Sequence, residues 1–150
     1  MNARPLLTLL AIVAGARESM PHGHAMQVAD LAARTATALG LPPATVHRCR
    51  LGGWLHDIGK VTIADAVLEK PGELDEAEWE QMRNHAEIGA AMLAQVPELV
   101  DAAAAVRHHH ERWDGRGYPV GLARDAIPVE SRVIAAADAF TAMTTDRLHR

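Results

Sequence analysis

The chain has 150 residues, which fits one domain able to bury a substantial core. A net charge of −4, with histidine neutral, gives no electrostatic case for nucleic acid or an anionic membrane as partner. Aromatic residues make up 3%, so Ala, Leu, Val, Ile and Met must fill the core; a single cysteine, Cys49, excludes an internal disulfide, fits a reducing cytoplasmic setting and reads as a small buried apolar side chain.

Taken in chain order, the periodicity is helical almost throughout. Arg4, the apolar run Leu6 to Ala14 and the small residues Ala14-Gly15-Ala16 have the layout of a signal peptide. They also suit a first helix over residues 5–17, which is the preferred reading. The run is shorter than the ~20 residues a membrane-spanning helix needs, so no span is expected. Residues 24–39 form the next helix, with Val28, Leu31, Ala32 and Leu39 on one face and Gly40 as its stop. Pro42-Pro43 opens a helix over 44–57, with Leu51, Trp54, Leu55 and Ile58 as core candidates and Gly59 as its end.

A short helical turn follows over 64–68, closed by Pro71-Gly72. Asp75 and Glu78 have capping-box spacing for a helix through Trp79 and Met82 that bends near His85 and continues to Gln95. Pro97 starts another helix, which reaches the histidine run at 108–110. The glycine-rich residues 112–127 read as a long loop, and such loops are usually functional. The last helix runs from Pro128 to Thr144. No strand alternation or internal repeat is present, so the expected architecture is a single all-α domain, a helical bundle.

Nine histidines stand out in so short a chain. His56 and Asp57 are adjacent at the end of an apolar helix, and adjacent helical residues do not face the same way. An isolated pair of this kind is more often a helix end or a surface feature. His24, His85, His109, His110 and Asp138 give it company, because all lie at or near helix positions and a bundle can point them into one interior pocket. Each alone has an ordinary explanation as a cap, a polar helix end or an exposed residue. Imidazole nitrogen with carboxylate oxygen suits iron, manganese or zinc, and no cysteine cluster suggests a structural zinc site. Asp57 can offer one oxygen to each of two metals, and paired metals activate water and clamp an in-line phosphoryl displacement. Bound metal ions would supply the positive charge that an anionic substrate needs. His22, His47, His108 and His149 lie outside this pattern and are expected on the surface.

The segments HDIGK (56–60), NHAEIG (84–89), HHERWDGRGYP (109–119) and AADAF (136–140) resemble, in order and spacing, the signatures of the HD-GYP family. HDIGK is shared with many HD-superfamily phosphohydrolases; Gly117-Tyr118-Pro119 is the tripeptide in the family's name. The resemblance implies an HD-domain helical bundle and a phosphodiesterase, for which the cysteine count and the N-terminal reading favour the cytoplasm. That enzyme would convert cyclic di-GMP to pGpG, and further to GMP, through a metal-bridging hydroxide. It implies two divalent ions, iron or manganese. His24, His56, Asp57 and Asp138 would surround one; Asp57 would bridge to the other, held also by His85, His109 and His110. Lys60 matches a lysine that contacts substrate phosphate, Tyr118 a substrate-proximal or loop-ordering residue, and Arg147 and Arg150 basic positions facing the dinucleotide.

GGDEF-domain proteins are a partner that the GYP loop implies. Two departures bear on these expectations. Some members hold a third metal with a glutamate at the position of Met20, a poor ligand for a hard cation, and Glu18 is out of place for it on a helix. Family domains also continue beyond the point corresponding to Arg150, and Leu148-His149 stands in place of a Pro-Tyr pair, so the chain is expected to lack C-terminal helices. The rival expectations are an HD-superfamily phosphohydrolase of another nucleotide and a non-catalytic module that binds the cyclic dinucleotide or a GGDEF-type partner.

Overall fold

The computed structural model describes residues 23–144. Among them are six α-helices, α1 (His24–Ala38), α2 (Pro43–Leu55), α3 (Asp65–Leu68), α4 (Glu76–Ala94), α5 (Val100–Arg107) and α6 (Val129–Thr144), with 3-10 turns at Ile58–Thr62 and Arg124–Ala126 and no strand. The all-α expectation holds. The helix expected over 5–17 lies outside the described residues. Among those described, no helix is long and apolar enough to cross a membrane.

Local chemistry explains most boundaries. Helix α1 ends in a Schellman motif: Gly40 adopts φ 69°, its N–H bonds the Thr37 carbonyl, and the Leu41 N–H reaches back to Ala36. Pro43 opens α2 at a position where no backbone donor is needed. The expected capping box starts α4, with Asp75 accepting from the Glu78 N–H at 2.9 Å and Glu78 accepting from the Asp75 N–H at 2.8 Å.

Three boundary expectations need correction. Helix α2 stops at Leu55, and Gly59 sits inside the 3-10 turn that follows. Helix α4 runs unbroken through His85. Helix α5 begins at Val100, with Pro97 in the turn before it.

Helix α1 packs on α2 and α6, α2 on α5 and α6, and α4 on α5 and the 3-10 turn after α2. One apolar cluster joins Leu55, Ile58, Leu93, Leu99, Ala102 and Val106. A second joins Val28, Ala32, Ala36, Cys49, Val133 and Ile134. The buried face of α1 is Val28, Ala29, Ala32, Ala33 and Ala36; Leu31 is only partly buried and Leu39 is exposed, contrary to expectation. Small residues face inward because α2 approaches closely. A Cβ on Gly53 would stand 3.0 Å from the Ala29 Cα, and one on Gly52 would stand 2.6 Å from the Ile134 side chain. Leu55 and Ile58 are core as expected, with Leu51 and Trp54 at its margin. Cys49 is buried, and burial pushes its thiol up to about 11, in keeping with a packing role.

Candidate metal centre

Five separate parts of the chain converge between these clusters. His24 is the first residue of α1; His56 and Asp57 follow the last turn of α2; His85 is midway along α4. His109 and His110 follow α5, and Asp138 lies on α6. Their ligand atoms form two groups, each with members within 4.8 Å of one another: Asp57 with His85, His109 and His110, and His24 with His56 and Asp138. Asp57 joins them. Its Oδ2 is 3.0 Å from His56 Nε2, while its Oδ1 is 3.3 Å from His85 Nε2 and 4.0 Å from His109 Nε2.

Three of the rings are aimed by their own helices. The Nδ1–H groups of His56, His85 and His109 donate to the carbonyls of Gly53, Met82 and Val106, each three residues back. A carbonyl only accepts, so Nδ1 carries a proton in each, and the neutral rings of His85 and His109 turn their Nε2 lone pairs inward. The Nε2 atoms of His85 and His109 then face each other at 3.4 Å, and that of His56 faces carboxylate oxygen. Lone pairs opposed in this way repel unless a cation lies among them. His24 Nδ1 and Asp57 Oδ1 are also buried without a hydrogen-bond partner. Leaving such an atom unsatisfied costs about 1–3 kcal/mol. The donor set and its orphaned atoms fit divalent metal ions.

The electrostatics agree. Burial pushes His109 well down and His110 to about 4, and it lowers His85, so these rings stay neutral. Burial works against a charge on His56 too, but the adjacent Asp57 carboxylate outweighs it and raises that ring to about 9. Burial also opposes ionisation of Asp57. The His56 and Lys60 charges overcome it and hold the carboxyl well below its usual range. Asp138 is lowered despite burial by its contact with His24, whose Nε2 lies 3.0 Å from Oδ1.

Lys60 lies in the 3-10 turn with Nζ 2.9 Å from Asp57 Oδ2. That turn fits under α4 because residue 59 is glycine; a Cβ there would stand 2.0 Å from the His85 carbonyl oxygen. Tyr118 stacks on His110 at 4.7 Å between centroids, and burial raises its phenol, so the hydroxyl keeps its proton. Arg147, Arg150, Met20, Glu18, His22 and His149 lie outside the described residues.

His47 is exposed as expected, but His108 is not. Its side chain is 12% exposed, with Nδ1 3.6 Å from Glu111 Oε1, because the turn after α5 directs it under the loop. Glu111 itself was not singled out by sequence. Its carboxylate is buried and accepts the backbone N–H groups of Val120 and Gly121, tying down the far side of the Gly117-Tyr118-Pro119 segment. The available signal was a carboxylate inside the 109–119 motif with no metal role to fill.

The HD domain family model matches residues 9–150. The chain is an HD domain. Within that family it is of the HD-GYP type, and the HD domain implies divalent metal binding. This HD domain is 37% identical over 147 residues to a cyclic di-GMP phosphodiesterase of Thermotoga maritima, covering 97% of the chain and 40% of the relative. It is 38% identical over 150 residues to a cyclic di-GMP phosphodiesterase response regulator of Xanthomonas campestris, covering 98% of the chain and 39% of the relative. It is 36% identical over 153 residues to a 3'3'-cGAMP-specific phosphodiesterase of Vibrio cholerae, covering 99% of the chain and 29% of the relative. The HD domain thus spans well under half the length of each of these relatives.

Proposed function

We propose that the chain is a phosphodiesterase that hydrolyses cyclic di-GMP, with two divalent ions, iron or manganese, in the two side-chain groups. The observation that carries this reading is the division of Asp57, one oxygen towards each group. In this assignment His24, His56, Asp57 and Asp138 hold one ion, and Asp57, His85, His109 and His110 hold the other. The names of the Thermotoga and Xanthomonas relatives support cyclic di-GMP as the substrate. The Vibrio relative favours a second reading, in which the ring that is opened is 3'3'-cGAMP.

When bound, the ions supply Lewis acidity at the phosphoryl oxygens and lower the pKa of water. The protein supplies aim and charge. The ring-to-carbonyl bonds of His56, His85 and His109 hold the ligand atoms in place before substrate arrives. Lys60, beside Asp57, sets an ammonium against the charge that grows on the non-bridging oxygens. The protonated Tyr118 hydroxyl is a donor at the edge of the same site. Water adds to phosphorus, one ring ester bond breaks, and the leaving ribose oxygen takes a proton. The product is linear pGpG, with GMP after a second cleavage. The relatives' names give no reason to invoke GGDEF proteins, and cyclic dinucleotide alone is the proposed partner.

The test is anaerobic purification with iron or manganese, metal quantification, and chromatography of products from cyclic di-GMP and 3'3'-cGAMP side by side. Two ions per chain and pGpG are expected. Metal-loaded protein that leaves both dinucleotides intact would refute the reading.

A further inference from the structure

The cleft beside the metal centre continues past the groups used above. It encloses about 600 Å³, opens onto His109, His110 and Asp138, and extends over Trp79 and Arg83 of α4 and Arg116 of the loop. That volume lies in the range of roughly 300–1,000 Å³ typical of small-molecule sites. Trp79 and Arg83 are four residues apart and so share one face of α4. The Arg83 guanidinium sits 5.8 Å from the Trp79 ring centroid, yet the indole remains 43% exposed.

The cations along this wall are not equivalent. Arg112 is held in a two-point contact by Asp114, at 3.0 and 2.8 Å. Arg83 meets Glu76 only at 3.7 Å, and that acid is 89% exposed, so the pair is weak. Lys60 is drawn to the metal side by Asp57. A cyclic dinucleotide carries two phosphates on opposite sides of one ring. With one at the metal centre, the second and its purine must lie along the cleft, in a chain whose net charge is itself negative.

We propose that Trp79, Arg83 and Arg116 form the subsite for the second, uncleaved nucleotide of the cyclic dinucleotide, an assignment that rests on the phosphodiesterase reading above. The two guanidinium groups take the non-scissile phosphate, where planar paired donors match phosphate oxygens. The purine stacks on the exposed surface of Trp79, a contact that needs only a π-face. These residues touch substrate away from the bond that breaks, so their contribution is to binding.

The experiment uses the metal-loaded chain and two substrates: cyclic di-GMP, and bis(p-nitrophenyl) phosphate, a diester with no second nucleotide. Trp79→Ala and Arg83→Met should each raise KM for cyclic di-GMP by about tenfold or more, relative to their effect on the small diester, as stacking and charge-assisted contacts of this kind predict. Arg34→Ala, on an exposed side chain of α1, is the control for loss of one positive charge. In chelator-treated protein, titration with cyclic di-GMP should change tryptophan fluorescence in the parent chain, and this response should be lost in Trp79→Ala. Parent-like KM ratios in both variants, with unchanged melting temperatures, would overturn the subsite. Failure of the parent chain to cleave either substrate would instead overturn the phosphodiesterase reading.

Discussion

Asp57 meets the two histidine groups with different oxygens, and its replacement therefore separates shape from charge. Asp57→Asn keeps the size but puts an amide nitrogen, a donor, where one oxygen was. We expect metal content to fall in both groups and hydrolysis of cyclic di-GMP to drop by about 10²–10³-fold, the scale of losing one preorganised charge-stabilising group. A variant that kept two ions and full turnover would show that Asp57 does not bridge.

The neighbouring rings make a second prediction, for protein stripped with a chelator. His110, with a pKa near 4, binds fewer protons folded than unfolded between its own value and the ordinary 6.5. Stability is therefore complete above 6.5 and declines as pH falls below it. His56 has the opposite sign. Raised to about 9, it contributes stability that is complete below 6.5 and is lost as pH rises through 9. Thermal melts of stripped protein should then peak near pH 6.5 and fall on both sides; a flat profile would mean that these rings are not buried as described.

At the scale of elements, the site depends on how closely the pieces pack. Gly59→Ala would drive a Cβ against the His85 carbonyl and the Gly89 backbone nitrogen, 2.0 and 2.7 Å away, and neither is the end of a flexible side chain. Overpacking of this kind costs about 1–3 kcal/mol or more. Because this turn follows His56 and Asp57 and abuts the segment bearing His85, metal affinity should fall along with melting temperature, which paired calorimetry and metal titration would reveal. Glu111→Ala should act on the loop instead. Two backbone N–H groups lose their acceptor, a loss of about 1–3 kcal/mol, with Tyr118 freed from its stack on His110. Faster hydrogen exchange confined to residues 112–121 is the expected signature, and exchange unchanged there would contradict the anchoring role.

The caps of α1 and α4 were legible because Gly40 and the Asp75/Glu78 pair state their geometry in residue type. The inward face of α1 was less so. Leu31 and Leu39 are more apolar than the alanines actually buried, and hydropathy does not report how near a neighbouring helix comes. The approach is set by Gly53, whose missing side chain carries no hydropathic signal at all.

For the whole molecule, metal binding and folding should be linked. An ion that binds only the folded chain adds about 2.7 kcal/mol at a hundredfold excess over its Kd. In a chain of this size that corresponds to roughly 5–10 °C. Manganese added to stripped protein should raise the melting temperature by this amount, and no rise would contradict the centre. The helical class and the convergence of His24, His56, Asp57, His85, His109, His110 and Asp138 were legible, the convergence chiefly through motif order. Glu111 and the Trp79–Arg83 pair were not, since their roles come from what lies across a cleft from them and no spacing along the chain encodes that.

The bonds from His56, His85 and His109 to carbonyls three residues back carry one more consequence. Each of these three rings brings its own aiming device, written into a single turn of backbone, so the same ring nitrogen faces inward at three of the five imidazoles of the centre. Discrimination among divalent ions then falls to the gaps between helices. Those gaps are filled by alanine and glycine, which makes metal preference a property of interior volume, tunable by single methyl groups far from any ligand.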